Sequence, residues 1–348
     1  MFKRKTVFIV GAGGSYNLRL PVGDGLKYEI AKRLSFSFKH GQELVSGDSG
    51  IAEAMARISQ DVNGNSDISV LTRAGREVAT AMSQAISIDN YLHTHADDLH
   101  IILAGKLGIA SSILAAERGS IIYGDPRSGK NFGFKDMPSV WQNTFCQMLT
   151  EQLQRSDIEY VFDNVSFITF NYDRCLEHYI SNWLSTYMRM PLQEIQLLMQ
   201  DLKIIHPYGQ VGRLPWQGNP SDGVAFGDDA DGGNLPAIAN QLRTFTERSD
   251  DRAMLARMRK TISEAEQVVY LGFAYGAMNM ELLKIEDDGP EKQVYGTTLG
   301  MSQQNAAAAL EDIKKSLWHH MKSRVTDSYL HNTTCDDLLK DNWRALTA

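Results

Sequence analysis

The chain has 348 residues, 43% of them apolar, and its 35 basic and 42 acidic side chains leave a net charge of −7. That length can bury a sizeable core and suits two domains, or one large domain carrying an insertion. The acidic balance excludes a general affinity for nucleic acid or an anionic membrane surface, and the three widely spaced cysteines, Cys146, Cys175 and Cys335, build neither a disulfide framework nor a Cys-x-x-Cys zinc site. A reducing cytoplasm is the expected location. The first apolar run stops at Val10, too short for a signal-peptide core, and no later stretch reads as a membrane span.

The first element is a strand over Thr6 to Val10 that runs into Gly11-Ala-Gly-Gly-Ser15. A strand ending in glycines lets the backbone approach a pyrophosphate closely and aims main-chain N–H groups at it. Tight strand-to-helix turns also occur in sheets that bind nothing, so the turn gains meaning only from its companions. From about Ile51 to Glu117 the spacing of Ala52, Met55, Ala56 and Ile58, and then of Ile101, Leu103, Leu107, Ile109 and Ile113, predicts helices. Gly119 to Gly133 reads as loop, and Ser139 to Arg155 resumes helical spacing.

Further strands are expected at Val165 to Phe170, Lys203 to His206, Gln267 to Gly272 and Gln293 to Thr297, with Gly, Asn, Asp or His at the strand ends. Apolar runs of this kind suit parallel strands covered by helices on both faces, with chemistry at their carboxyl ends. Gln217 to Gly233 holds Gly, Pro, Asp and Asn with little periodicity and reads as a mobile surface loop or lid. His319 and His320 are placed at the end of an amphipathic helix, where they favour its dipole.

Phe167-Ile-Thr-Phe-Asn171-Tyr-Asp173 ends a buried strand with polar side chains two positions apart, so Asn171 and Asp173 can share one side of the sheet edge. Ile204-Ile205 ends at His206-Pro-Tyr-Gly209, and Val268 to Gly272 ends in Phe273-Ala-Tyr-Gly276. Asn171 could equally cap a helix beginning near Arg174, and His206 could be a turn histidine.

Together these pieces resemble the Sir2-like NAD-hydrolase domains of bacterial anti-phage defence systems. The resemblance rests on Gly11-Ala-Gly-Gly-Ser15 followed by Pro21 and Gly23, on Ser87-Ile-Asp89-Asn-Tyr-Leu92, on Thr169-Phe-Asn171-Tyr-Asp173, on His206-Pro-Tyr-Gly209 and on Gly272-Phe-Ala-Tyr275. It implies an α/β fold, a Rossmann-like doubly wound parallel sheet formed by residues 1–34 and 157–348, with 35–156 as a mainly helical insertion within one catalytic unit. It further implies that Asn171 and His206 are the catalytic pair. Gly11, Ala12, Gly13, Ser15, Pro21, Asp173, Gly272, Phe273 and Tyr275 would bind NAD, with Asp173 near the nicotinamide carboxamide. NAD is then the substrate, and the implied role is depletion of cellular NAD during phage infection. Partners would be further copies of the chain, and a HerA-like ATPase or another sensor.

The residue types suit that chemistry. Breaking the nicotinamide–ribose bond builds positive charge on the sugar, and a neutral Asn can hold ribose hydroxyls and an incoming water without itself becoming a nucleophile. A neutral His206 could accept a proton near pH 7. The four-cysteine zinc module of sirtuin deacylases cannot be built from three scattered cysteines. That counts against deacylation; deacylation or ADP-ribosyl transfer, the same bond cleavage with another acceptor, is the rival enzyme reading, and a non-catalytic NAD or ADP-ribose sensor is the rival of another class.

No metal is expected. His93, Asp97 and His100 would align on one helix, but solvated polar residues explain them as well. Gly124-Asp-Pro-Arg-Ser-Gly129-Lys130 has P-loop spacing but Asn131 where a magnesium-holding hydroxyl should stand.

Overall fold

The structure is a computed structural model and describes residues 1–40, 43–125, 132–135, 137, 139–249, 251–319 and 322–348. Its strands, in chain order, are β1 (Thr6–Val10), β2 (Ser37–Lys39), β3 (Glu43–Ser46), β4 (Val165–Thr169), β5 (Lys203–Ile205), β6 (Gln267–Leu271), β7 (Lys292–Thr297), β8 (Trp318–His319), β9 (Lys322–Ser323) and β10 (Val325–His331). The pairs β2–β3 and β8–β9 are small antiparallel ribbons. The other six strands form one all-parallel sheet in the order β10-β7-β6-β1-β4-β5. Counted in the order the chain makes them and read from the β5 edge, these strands run 3-2-1-4-5-6. That is the order of dinucleotide-binding doubly wound sheets, in which the strand sequence reverses beside the first strand. The fold is therefore the expected Rossmann-like α/β sheet.

β1 is central and buried along its whole length, as a Val/Phe/Ile run between two parallel neighbours should be. Its side chains alternate between two cores. Val7 and Ile9 pack with Ile109 and Ile113 of the helix Leu99–Gly119, whereas Phe8 and Val10 pack with Trp141 and Phe145 of the helix Trp141–Thr150. On the second face the Phe8 ring meets Phe145 at 5.2 Å and Phe167 at 5.1 Å. Truncating a ring so enclosed costs about 3–5 kcal/mol. The segment 35–156 is thus largely helical and supplies layers to both faces of the sheet.

Leu99–Gly119 is, among the described residues, the one helix long and apolar enough to cross a membrane, contrary to the reading that no such stretch exists. Most of it is buried inside the protein, where Gly105 and Gly108 let Leu92 and the pair Ile30 and Leu34 approach closely. The Asp98 carboxylate starts it by accepting the N–H groups of His100 (2.9 Å) and Ile101 (3.1 Å).

Three other expectations change. The strand β10 was not anticipated, because as an exposed edge strand it carries Thr, Asp, Ser and His in place of an apolar run. The helix Gln303–Ser316 ends before the histidine pair, so His319 belongs to the short strand β8, while His320 lies outside the described residues. The supposed lid is fastened along part of its length: the wholly buried Arg174 guanidinium donates to the carbonyls of Val224 (2.6 Å) and Ala225 (3.0 Å) and pairs with Glu117. Glu117 in turn accepts the Gly227 N–H at 3.0 Å.

Candidate functional site

The register levels the ends of the central strands, with Val10 opposite both Thr169 and Leu271. The turns beginning at Gly11, Phe170 and Gly272 therefore meet at one edge of the sheet. The Gly11 N–H donates to Leu271 O and the Gly13 N–H to Gly272 O, both at 3.0 Å, which locks the first turn onto the turn after β6. A Cβ on Gly11 would lie 2.6 Å from Gly272 O, and one on Gly272 would lie 2.2 Å from the Gly14 nitrogen. Gly272 also has φ +56°, a left-handed conformation that favours glycine. After this lock the chain forms a 3₁₀ helix, Ala12–Leu18, and the Gly14 carbonyl accepts from Trp141 Nε1 (2.6 Å) and Gln142 Nε2 (3.1 Å).

Above the lock lies a cavity of about 480 Å³, within the range of small-molecule sites. Of the residues expected to bind NAD, Gly11, Ala12, Ser15, Pro21, Asp173 and Phe273 line it, together with Asn171. Gly13 and Gly272 lie in the glycine lock. Tyr275 packs into the core and donates its hydroxyl to Thr297 O at 3.1 Å. Tyr172, Tyr208, Ser87, Asp89, Asn90, Lys27 and Asn279 complete the polar lining.

The polar centre is a chain of three buried side chains. Asn171 Nδ2 donates to Ser15 Oγ at 3.0 Å, and Ser15 Oγ donates to Asp173 Oδ2 at 3.0 Å. Asp173 Oδ1 accepts the Cys175 N–H at 3.0 Å, so Asp173, rather than Asn171, serves the start of the helix Cys175–Met188. That leaves Asn171 Oδ1 buried with no partner among the described residues. A buried acceptor left unpaired costs about 1–3 kcal/mol, so a ligand hydroxyl or water donating to it is favoured. Burial pushes the Asp173 carboxyl up to about 6, against the lowering effect of the Cys175 N–H. Asp89, also in the lining, is likewise raised by burial, although the hydroxyl of Tyr172 donates to it.

His206 lies elsewhere. It lines a neighbouring cavity with Glu177, Gln210, Arg213 and Arg243, and does not line that of Asn171. Its Nε2 is 2.8 Å from Glu177 Oε1 and its Nδ1 is 3.2 Å from the Asn171 main-chain oxygen. Both partners are acceptors, so this geometry favours the form with hydrogen on both ring nitrogens. Burial alone would lower its pKa, but the charge and hydrogen bond of Glu177, then the Asn171 carbonyl and Asp173, carry it above the ordinary value. A raised pKa and a place in the neighbouring cavity both differ from the neutral base within the Asn171 cavity that the sequence suggested. His206 instead braces the backbone of Asn171.

Sequence reading missed Tyr208 and Asn279. Tyr208 stands two residues beyond His206, immediately before Gly209 at φ +75°, and its hydroxyl donates to Asn279 Oδ1 at 2.7 Å across the cavity wall. The alternation of side chains past β5 was the available signal; Asn279, in the short helix Ala277–Leu282, offered none. The proposed alignment of His93, Asp97 and His100 is broken, because one helix ends at Thr94 and the next begins at Leu99. His93 Nδ1 lies 2.9 Å from Thr246 Oγ1, and among the described residues no three metal-ligating side chains gather. The P-loop-like run lies outside the described residues from 126 to 131. Compared with known proteins, the chain matches no family model and no curated protein.

Proposed function

We propose that the cavity binds NAD⁺ and hydrolyses its nicotinamide–ribose bond, releasing nicotinamide and ADP-ribose. The observation that carries this reading is the buried Asn171 Oδ1, without a partner among the described residues, at the strand-order reversal of a 3-2-1-4-5-6 sheet. The other lining groups fit the molecule. Phe170, Phe273 and Tyr172 give flat apolar walls for a ring, Lys27 is the one cation among the described lining residues, and Asn171 Oδ1 awaits a hydroxyl.

In this reading the glycosidic bond breaks with its electron pair leaving on the nicotinamide nitrogen, a water oxygen bonds to the ribose carbon, and the water's proton is released. Asn171, held by Ser15 and braced from behind by His206, positions the ribose or the water. Asp173, ionised above about pH 6, places negative charge beside the positive charge that develops on the sugar. The Asp89 carboxyl, which lines the cavity and is raised by burial, is available to accept the proton.

A role as an NAD-depleting effector of anti-phage defence, in the cytoplasm and as a homo-oligomer or with a sensor such as a HerA-like ATPase, belongs to the same proposal and rests on the family resemblance alone. The test is incubation of the purified protein with NAD⁺ and chromatography of the products. Equal release of nicotinamide and free ADP-ribose supports hydrolysis. ADP-ribose attached to protein or to an acyl group would favour transfer or deacylation, and bound but intact NAD⁺ would favour a sensor.

A further inference from the structure

The cavity that holds His206 has about 580 Å³ and a consistent polarity. At its exposed rim stand Arg213 and Arg243, and Glu177 is the only acid among the described residues that line it. Glu177 is spent on His206, so the cavity carries an excess of positive charge. Deeper in, two acceptors are buried with no partner among the described residues, namely Glu177 Oε2 and Gln210 Oε1. Gln210 Nε2 is already committed to Gln217 Oε1 at 3.3 Å, and Trp216 gives one wall a flat ring.

Paired arginines recognise phosphate oxygens through their planar N–H forks. Buried unpaired acceptors call for hydroxyl donors. We infer that this second cavity is a binding site for a sugar phosphate, its phosphate held by Arg213 and Arg243 at the rim and its hydroxyls donated to Glu177 and Gln210 inside. The main chain from His206 to Gln210 is the shared wall of the two cavities: Tyr208 lines one, while His206, Gly209 and Gln210 line the other. A ligand on Glu177 therefore acts on the same imidazole that braces Asn171. The inference does not depend on NAD cleavage, since its test reads binding.

Ribose 5-phosphate serves as the probe, titrated into the full chain while the imidazole NMR signals of His206 are followed, these being assigned by their loss in His206→Gln. A saturable shift is expected, weakened at least tenfold by Arg213→Gln and again by Arg243→Gln, and weakened at least tenfold when ribose replaces ribose 5-phosphate. Arg213 is exposed at the rim, so Arg213→Gln keeps the fold, which circular dichroism verifies. Absence of a saturable shift with the probe raised well past the millimolar range, or equal affinity in the arginine variants, overturns the site. Equal binding of inorganic phosphate would overturn the sugar half of the assignment.

Discussion

The imidazole Nδ1 of His206 donates to the main-chain oxygen of Asn171 at 3.2 Å, while the Asn171 side chain donates to Ser15 at 3.0 Å. One residue is thus gripped at its backbone from one cavity and at its amide from another. This division separates positioning from chemistry, and it can be measured.

Asn171→Ala is expected to lower NAD⁺ cleavage by on the order of 10²-fold or more, the loss of a positioned group, with the melting temperature nearly unchanged. Among the described residues the amide makes a single hydrogen bond and leaves its oxygen unpaired, so its removal costs the fold little. Nicotinamide release measured on the folded variant decides the matter. Near-normal turnover would remove Asn171 from the site.

His206→Gln should lower turnover without altering the pH dependence of the rate, because the ring braces Asn171 and takes no proton from substrate. Were His206 the base, the fall in rate at acid pH would vanish in the variant. A pH–rate profile of both proteins under saturating NAD⁺ separates the two roles.

The His206–Glu177 pair predicts a window of stability. His206 is raised above 6.5, so its contribution is fully present below that value and is lost as pH rises through its higher folded pKa. For Glu177, burial raises its pKa but the charge and hydrogen bond of His206 outweigh this and hold it below 4.5, so its contribution is present above 4.5 and is lost as pH falls through the lower folded value. The pair is at full strength between about pH 4.5 and 6.5. Besides Glu177, the charge of Asp173 acts on the ring, and Arg213 and Arg243 line the same cavity. Glu177→Gln should cost most stability within that window, about 3 kcal/mol for a broken buried pair. Denaturant melts at pH 5.5 and pH 9 test it, and an equal loss at both would contradict the pairing.

Asp173 should show the opposite sign. Its carboxyl rises from 3.8 to about 6 on folding, which corresponds to about 3 kcal/mol of destabilisation above pH 6. The penalty shrinks as pH falls from 6 towards 3.8 and is gone below it. Asp173→Asn keeps an acceptor for the Cys175 N–H and is expected to melt higher than the parent at pH 8 and level with it near pH 4, while cleaving NAD⁺ more slowly. A variant less stable at pH 8 would show that the carboxylate is not strained there.

Glu117→Gln removes the charge facing the buried Arg174 guanidinium and should cost about 3–5 kcal/mol. It should also speed proteolysis between residues 217 and 233, since Glu117 and Arg174 together fasten 224–227. Limited proteolysis with an unchanged cleavage rate would show that other contacts hold the loop.

Much of this architecture is legible because the inner strands announce themselves. β1 and β6 are continuous apolar runs ending in glycine, the pattern of strands covered on both faces. β10 is hidden because an exposed edge strand obeys no such pattern. At the site, Asn171 and Asp173 could be placed together from their spacing, and Ser15 joins them because the sheet brings the two strand ends level. The orientation of His206 could not be read, since it depends on Glu177, a helix residue twenty-nine positions earlier in the chain. Spacing within one strand says nothing about which side of a turn an acceptor elsewhere will claim.

The glycine lock also bears on how such a protein can change over generations. Gly13 and Gly272 are far apart in sequence, yet a methyl group on either would run into the other's backbone, 2.9 Å from Gly272 Cα in one case and 2.3 Å from the Gly13 carbonyl carbon in the other. Neither position can accept a side chain first and wait for the other to adjust, because each obstacle is main chain. Inheritance must carry the two turns forward as one unit, while rim residues such as Arg213 remain open to drift and to the acquisition of new ligands.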